Sequence, residues 1–275
     1  MRFYLLSLIV IMYSCVSDDG TIKLKGSDTE VNLAVTMAET YRTENKSILV
    51  SVSGGGSGLG IASLLNGNAD IANSSRAINS EELSLFQKKS IPLDSFIFAQ
   101  DAIAFVVSDK LPIDSIHVNE LKKVLSGEYK NWSVLTTKKL PINIYGRQSN
   151  SGTYDFVKKK LKIQFSPYAK QMNGNAQILE AIKVDNSGIG YVGAGYIMKG
   201  YENGIKILTI YTDYSQATSP LDAEKIAANS YFFQRPLYQY YRTNNYQKIK
   251  PFLDFEKSDA GKKIILTSGY YPILK

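Results

Sequence analysis

The sequence predicts an α/β fold built on a largely parallel sheet. Segments 21–25, 48–52 and 69–72 have the apolar or alternating pattern of short strands, and each is followed by a polar or glycine-rich loop and then by a helical pattern. This strand–loop–helix alternation is typical of parallel sheets. With 275 residues, 44% of them hydrophobic, the chain is long enough for two modest domains or one large one.

The first part of the chain repeats one unit three times. Strands are predicted at 21–25, 48–52 and 69–72, loops at 26–30, 53–58 and 73–76, and helices at 31–41, 59–66 and 81–89. Each loop follows the carboxyl end of its strand, which is where open α/β sheets bind ligands. We therefore expect the three loops to line one crevice.

A second unit begins with a long apolar run. Segment 96–107 contains Asp101 among apolar residues and predicts a strand that crosses from the first domain to a second. The elements predicted after it are a helix at 117–126 ended by Gly127, strands at 141–145, 188–192 and 236–241, a helix at 175–184, and one or two closing helices within 246–268.

The segment from Arg147 to Thr153 carries the strongest functional signal. Ser151 has the position of an N-cap, and the run after it is helical, with Asp155 in its first turn. The N–H groups of Gly152 and Thr153, two hydroxyls and one guanidinium can then converge on an anion. An ordinary capped helix beside a surface arginine would give the same pattern, so both interpretations stay open here.

Most catalytic classes find no support in the residues. The single histidine, His117, lies in a lysine-rich segment predicted to be helical and solvated. In the loop at 53–58, Ser57 lacks the glycine pattern of a hydrolase nucleophile elbow. The loop also lacks the lysine that ends the Walker motif of nucleotide-binding proteins. Segment 188–193 matches a dinucleotide-binding pattern but lacks a preceding strand, so we treat the match as accidental. No residues have metal-ligand spacing, and no cofactor is expected.

The net charge of the chain indicates a protein that attracts anions, and its N-terminal sequence indicates export. The formal charge of +7 favours anions, whereas the scattered lysines match no nucleic-acid motif, so no nucleic acid partner is expected.

Segment 3–13 is apolar, too short to span a bilayer, and typical of a signal peptide, here 1–14. Cys15, the single cysteine, resembles the acylation site of bacterial lipoproteins, with 15–20 as a tether. An ordinary signal peptide with an incidental cysteine is the alternative, since the preceding Met-Tyr-Ser triplet is unusual.

Six motifs in order resemble the periplasmic phosphate-binding protein of the phosphate-specific ABC transporter. The similarity runs from about 21 to 241, and the motifs are Lys25-Gly26-Ser27-Asp28-Thr29, Gly54-Gly55-Gly56-Ser57-Gly58-Leu59-Gly60-Ile61, Asp70-Ile71-Ala72-Asn73-Ser74-Ser75-Arg76, Asn131-Trp132, Arg147 with Ser151-Gly152-Thr153, and Gly188-Ile189-Gly190-Tyr191-Val192-Gly193. The resemblance implies a type II periplasmic solute-binding fold, in which two α/β lobes with mixed sheets are joined by two crossing strands. The expected lobes are 21–100 plus 233–275 and 101–232, with the ligand cleft between them.

The resemblance also implies a set of phosphate-binding residues. The first lobe would supply the Thr29 hydroxyl, the Glu30 backbone N–H, and the hydroxyls of Ser57 and Ser75. The second lobe would supply four more, namely Arg147, Ser151, Gly152 and Thr153. Among the four loops, we expect Arg147 to be the single well-placed cation. Ligand contacts on both lobes would couple binding to hinge closure.

Three positions depart from the family pattern or are ambiguous. Ser75 stands where some family members have an aspartate that accepts the proton of hydrogen phosphate, an acid that excludes sulfate. Asp28 either faces the anion as a replacement acceptor, or caps a helix or faces solvent. Arg76 is either a ligand or, as we favour, the partner of a nearby carboxylate.

The resemblance therefore implies a non-enzymatic, lipid-anchored phosphate receptor outside the cytoplasmic membrane that delivers its ligand to an ABC permease. The same fold could instead select sulfate, molybdate or tungstate. A surface adhesin or interaction lipoprotein with this fold is a rival from another class, and a phosphatase that uses Ser57 or Ser151 is a third.

Overall fold

The computed structural model describes residues 20–198 and 204–273. The expected signal peptide, Cys15 and the tether except for Gly20 lie outside these residues and remain predictions. Among the described residues, no helix combines the length and the apolar character needed to cross a membrane.

The described part of the chain alternates strands and helices. The strands are β1 (Ile22–Gly26), β2 (Val50–Ser53), β3 (Ile71–Ser74), β4 (Leu93–Ser108), β5 (Ser115–His117), β6 (Asn143–Arg147), β7 (Lys170–Met172), β8 (Gly188–Gly193), β9 (Ile205–Thr212), β10 (Ser215–Thr218) and β11 (Gln234–Arg242). The helices are α1 (Val31–Glu44), α2 (Ser57–Leu65), α3 (Ser80–Lys88), α4 (Val118–Ser126), α5 (Gly152–Leu161), α6 (Asn175–Val184), α7 (Ala223–Ala227), α8 (Tyr246–Lys257) and α9 (Asp259–Thr267).

The first lobe is a mixed sheet in the order β2-β1-β3-β11-β4. Strand β1 pairs in parallel with β2 and β3, whereas β11 runs antiparallel to β3 and β4. Helices α1, α8 and α9 pack on one face around Leu33 and Phe252, and α2 and α3 cover the other around Leu64 and Phe86. Because β1, β2 and β3 are parallel, their carboxyl ends lie at one edge.

The second lobe continues the sheet as β4-β8-β6-β7. Strand β6 is parallel to β7 and β8, and β4 is antiparallel to β8 and β9. Along β4, Phe105 and Val107 join the core on one face, whereas Ala104 and Val106 join the core on the other. Both faces are therefore buried, which explains why this strand reads as a continuous apolar run rather than an alternating one.

Strand β4 belongs to both lobes. Its residue Ala102 pairs with Gln234 of β11, and the next residue, Ile103, pairs with Gly193 of β8. The change of partner lies beside the predicted boundary between residues 100 and 101, although the lobe limits themselves remain a prediction. The chain crosses between the lobes in β4 and returns immediately before β11.

The helices and strands predicted for the first lobe are all present, with ends shifted by a few residues. The helix predicted at 175–184 coincides with α6, and Gly127 ends α4 in the left-handed region with φ 77°. His117 differs from its prediction, because it ends β5 and caps α4 instead of lying within the helix. The glycines of 188–193 lie inside strand β8 and not in a turn, as expected for an accidental match.

Candidate functional site

Three loops of the first lobe meet at the carboxyl edge of its sheet. A 3₁₀ turn, Asp28–Glu30, follows β1, a glycine-rich loop leads from β2 into α2, and Ser75 follows β3. Gly26 makes this convergence sterically possible, because its φ is 140° and a Cβ there would lie 2.1 Å from the Asn73 carbonyl oxygen.

Two serines from neighbouring loops are held together in this edge. The Ser75 N–H donates to Ser57 Oγ at 3.0 Å, and the two hydroxyl oxygens are 3.4 Å apart. Both residues are buried. Ser57 is the first residue of α2, so its position is set by the start of that helix.

The second lobe contributes the end of β6 and the start of α5. Ser151 is the N-cap that the sequence predicts, since its Oγ accepts hydrogen bonds from the N–H groups of Thr153 and Tyr154 at 3.2 and 3.5 Å. The cap engages the lone pairs of Ser151 and leaves its O–H free to donate. Gly152 and Thr153 then form the buried first turn of α5.

The two lobes touch at these residues. Thr29 Oγ1 and Thr153 Oγ1 are 2.9 Å apart, and a Cβ on Gly152 would lie 2.4 Å from Ser57 Oγ and 2.5 Å from Ser75 Oγ. Any side chain at position 152 would therefore separate the lobes. Five of the eight predicted ligand residues are brought together in this one contact.

Arg147 lies beside this contact and is 3% exposed. Its Nη1 donates to Asp28 Oδ2 at 3.1 Å and its Nη2 donates to the Asn173 carbonyl oxygen at 3.0 Å. Burial lowers the pKa of Arg147, and the charge of Asp28 opposes that shift. Its buried Nε finds no acceptor among the residues described. The Nε–H is thus available to an anion.

Asp28 has one of the roles considered from the sequence, that of a helix cap. Its Oδ2 accepts from the backbone N–H of Asn175 at 2.9 Å and from Asn175 Nδ2 at 2.7 Å, in addition to Arg147. Asp28 therefore caps a helix, α6, but that helix belongs to the opposite lobe. Its Oδ1 accepts no hydrogen bond from the described part of the chain.

Arg235 is a buried cation that sequence reasoning missed. Its Nη2 donates to Thr29 Oγ1 at 3.1 Å and to Thr153 Oγ1 at 3.0 Å, and its Nη1 donates to the Ser75 carbonyl oxygen at 3.1 Å. Arg235 also forms an ion pair with Asp101, at 2.9 Å from Nη2 and 3.0 Å from Nε. Arg147 is therefore not the sole buried cation at this contact among the described residues, although Arg235 lies in β11, outside the four loops considered from the sequence.

A signal for Arg235 was present in the sequence. Asp101 lies within an apolar run, and a buried carboxylate requires a partner. Arg235 is its direct neighbour in the β4–β11 register. The sequence alone does not give the register that places Arg235 opposite Asp101, because their strands are far apart in the chain.

Glu30 is fully buried at the start of α1. Burial is the main cause that raises its pKa to about 8, while the neighbouring Ser27 hydroxyl and the charge of Arg235 oppose that shift. The backbone N–H of Glu30, at the end of the 3₁₀ turn, is the part that remains a predicted ligand.

Arg76 has the role that we favoured. It forms a bidentate pair with Glu82 at 2.7 and 2.6 Å, and Glu82 also completes the capping box of α3 with Asn79. The single histidine, His117, accepts from the Asn119 N–H in the cap of α4, away from these hydroxyls. The described residues contain no group of three His, Cys, Asp or Glu side chains placed to hold a metal ion.

The chemistry of the assembled site is that of hydrogen-bond donation to an oxyanion. It offers hydroxyls from both lobes, the N–H groups of a helix N-terminus, and one free guanidinium N–H. The two aspartates are each paired with an arginine, so the fixed charges nearly cancel. Ser57 Oγ accepts from the Ser75 N–H and Ser151 Oγ caps α5.

The fold and the site define a two-lobed protein of the solute-binding class, with the predicted ligand residues between the lobes. A family model described as a PBP superfamily domain matches residues 17–260. The chain belongs to this superfamily. The type II fold implied by the resemblance is confirmed, with two α/β lobes and mixed sheets joined by the crossing strands.

Individual relatives agree over nearly the whole chain. The phosphate-binding protein PstS of Borreliella burgdorferi is 29% identical over 276 residues, which cover 96% of this chain and 94% of that protein. PstS of Staphylococcus saprophyticus is 29% identical over 250 residues, covering 89% and 78%.

Solved structures share the architecture. A Clostridium perfringens protein whose structure holds bound phosphate has a TM-score of 0.82 at 22% identity, covering 92% of this chain and 100% of that one. An ABC-type phosphate transport receptor from Vibrio cholerae has a TM-score of 0.71 at 25% identity, again covering 92% and 100%.

The buried Glu30 carboxyl makes a testable prediction about stability and pH. Its pKa is about 8 in the folded protein and 4.5 as the ordinary value, so the unfolded chain releases a proton that the folded chain keeps. The contribution to stability is full below pH 4.5 and is lost as the pH rises to about 8, by at most about 1.4 kcal/mol per pH unit. Glu30→Gln removes this loss.

Urea unfolding at pH 5 and pH 8 measures the effect. We expect the wild type to lose on the order of 3 kcal/mol more than Glu30→Gln between the two values. Glu39→Gln, on the exposed face of α1, should retain the wild-type pH dependence. Equal pH dependence in the wild type and Glu30→Gln would contradict the prediction.

Proposed function

We propose that the chain binds inorganic phosphate between its lobes and delivers it to an ABC permease. The observation that carries the proposal is the buried Arg147 guanidinium, with an unpartnered Nε, beside hydroxyls that meet from both lobes. The relatives named as phosphate-binding proteins support phosphate as the ligand.

The proposed ligand set consists of Thr29, Glu30, Ser57, Ser75, Arg147, Ser151, Gly152 and Thr153. Each hydrogen bond to a charged group contributes roughly 1.5–3 kcal/mol. Several such bonds together offset the large cost of removing water from a small anion. Because donors come from both lobes, the ligand binds best when the lobes are closed, and closure is a signal that a permease can read.

Catalysis is not part of the proposal. A serine nucleophile needs an adjacent base, whereas Ser57 Oγ accepts from a backbone N–H and Ser151 Oγ caps a helix. The two aspartates near the site, Asp28 and Asp101, are paired with arginines. A receptor fits this arrangement better than a phosphatase does.

Calorimetry with the purified protein tests the ligand. We expect phosphate to bind at micromolar concentration or below, and Arg147→Ala to weaken binding at least about 100-fold, because it removes a charged donor from a buried site. Arg76→Gln is the matched arginine control, and we expect less than about a threefold change because Arg76 is engaged by Glu82.

Each other outcome has a distinct meaning. Binding of sulfate, molybdate or tungstate in place of phosphate would keep the fold and replace the ligand. Failure of all four anions to bind would favour the adhesin or interaction lipoprotein. A loss in Arg76→Gln as large as that in Arg147→Ala would make Arg76 a ligand.

Gly152→Ala tests the cross-lobe contact in the ligand site. The added Cβ would lie 2.4–2.5 Å from two hydroxyl oxygens of the opposite lobe, so the lobes cannot approach fully. We expect phosphate binding to weaken at least about tenfold with little change in thermal stability, since alanine suits the first turn of a helix.

Gly54→Ala is the matched glycine control for this experiment. A Cβ there would meet its nearest neighbour, Asp28 Oδ1, at an ordinary 3.6 Å. Its affinity should stay within about threefold of the wild type. Equal effects of the two alanines would show that position 152 has no special closeness to the other lobe.

Export and anchoring complete the proposal. We propose that residues 1–14 are removed and that Cys15 carries lipid, which would hold the receptor at the membrane near its permease. The intact mass of the mature protein isolated from its membrane should include acyl chains. Cys15→Ala should shift the protein from the detergent phase to the aqueous phase. A mature chain with an unmodified Cys15 would contradict the anchor.

A further inference from the structure

Asp28 links the first lobe to three separate residues of the second. Its carboxylate accepts one hydrogen bond from Arg147 and two from Asn175, and its backbone carbonyl accepts from the Tyr196 hydroxyl at 2.7 Å. All four bonds join protein groups across the cleft.

The second lobe presents a prepared site for this carboxylate. Helix α6 begins at Asn175, and its N-cap, Gly174, makes no side-chain cap bond. A Cβ on Gly174 would lie 3.1 and 3.3 Å from the Asp28 carboxylate oxygens, so glycine leaves room for a close approach. The carboxylate thus supplies the missing cap and meets the positive end of the helix dipole.

The partners of Asp28 are held in place by the second lobe itself. Asn175 Oδ1 accepts from the Gly193 N–H at 3.2 Å, which directs Nδ2 toward Asp28. Arg147 is positioned by the Asn173 carbonyl oxygen, and both Asn175 and Arg147 are buried. Charge-assisted bonds to such fixed donors lose little entropy when they form.

We infer that Asp28 is an interlobe latch that holds the lobes closed before any ligand binds. The latch and the ligand use different atoms of Arg147, because Asp28 takes Nη1 while Nε stays open. The latch and the ligand can therefore stabilise the closed state at the same time. If the ligand binds the closed state alone, the apparent Kd equals the intrinsic Kd divided by the closed fraction. Affinity therefore rises in proportion to the fraction of the protein that is closed before binding.

The latch deepens the proposed function, and its effect on affinity rests on that function. Its existence does not, because the latch acts in the ligand-free protein. Another cross-lobe bond reports on it at a distance. The Gly58 N–H donates to the Asn150 carbonyl oxygen at 3.1 Å and makes no bond to Asp28.

Amide hydrogen exchange of the full chain in phosphate-free buffer tests the latch. We expect Gly58 and Asn175 to be protected in the wild type, and Asp28→Asn to raise exchange at both sites at least about tenfold. The amide oxygen can still occupy the place of Oδ2, but it carries no charge, so the ion pair with Arg147 and the charge-assisted bonds to Asn175 are weakened. Asp94→Asn is the matched control, since the Asp94 carboxylate accepts from Tyr241 within the first lobe, and it should leave both rates unchanged.

A second variant protects the test against misfolding. Asn175→Asp keeps the acceptor for Gly193 but places a carboxylate against Asp28, so Gly58 should again exchange faster. Far-UV circular dichroism and a cooperative thermal transition confirm that each variant folds.

The latch is overturned if Gly58 is unprotected in the ligand-free wild type. It is also overturned if the variants raise exchange at Asn175 but not at Gly58, which would make Asp28 a local helix cap. Phosphate calorimetry on the wild type decides the proposed function separately. If phosphate is the ligand, saturating phosphate should restore protection at Gly58 in Asp28→Asn.

Discussion

The ion pair between Arg235 and Asp101 is the interaction on which the rest of the site depends. It joins β11 to β4, the strand that passes from one lobe to the other, close to the point where β4 changes partners. From there the guanidinium reaches Thr29 in one lobe, Thr153 in the other, and the carbonyl of Ser75. Removing one member of a buried pair leaves an uncompensated charge, which costs about 3–5 kcal/mol. The pair therefore fixes the hinge strands and the hydroxyls together.

Two arginines and two aspartates near the cleft balance each other in charge, and this balance determines how an anion can be selected. Arg235 is satisfied by Asp101 and orients hydroxyls, whereas Arg147 is only partly satisfied by Asp28 and keeps Nε for an incoming group. Selectivity for an anion then depends on oriented hydroxyls and backbone N–H groups rather than on excess positive charge. Such dipoles recognise the shape and protonation of an oxyanion, which a surface cluster of lysines does not.

Strand polarity made much of this site predictable. The loops after β1, β2 and β3 had to share an edge once their strands were taken as parallel, and the cap at Ser151 followed from local chemistry alone. The sequence did not reveal the partners of Asp28 and Arg235. These bonds join residues 119 and 134 positions apart, and they depend on strand register and on the closure of the lobes. Spacing along one helix or strand carries no information about either.

The acids beneath the site explain how so polar an interior remains compatible with an anion. Glu30 and Glu256 lie in the buried first lobe, and burial raises the pKa of each to about 8. Below that pH both are protonated. Two ionised carboxylates there would oppose Arg235 and weaken the field at the mouth of the cleft, because charges in a poorly hydrated interior are weakly screened. Burial thus keeps these two acids from adding negative charge behind the site, and an arriving oxyanion meets the paired arginines together with the oriented hydroxyl and N–H groups.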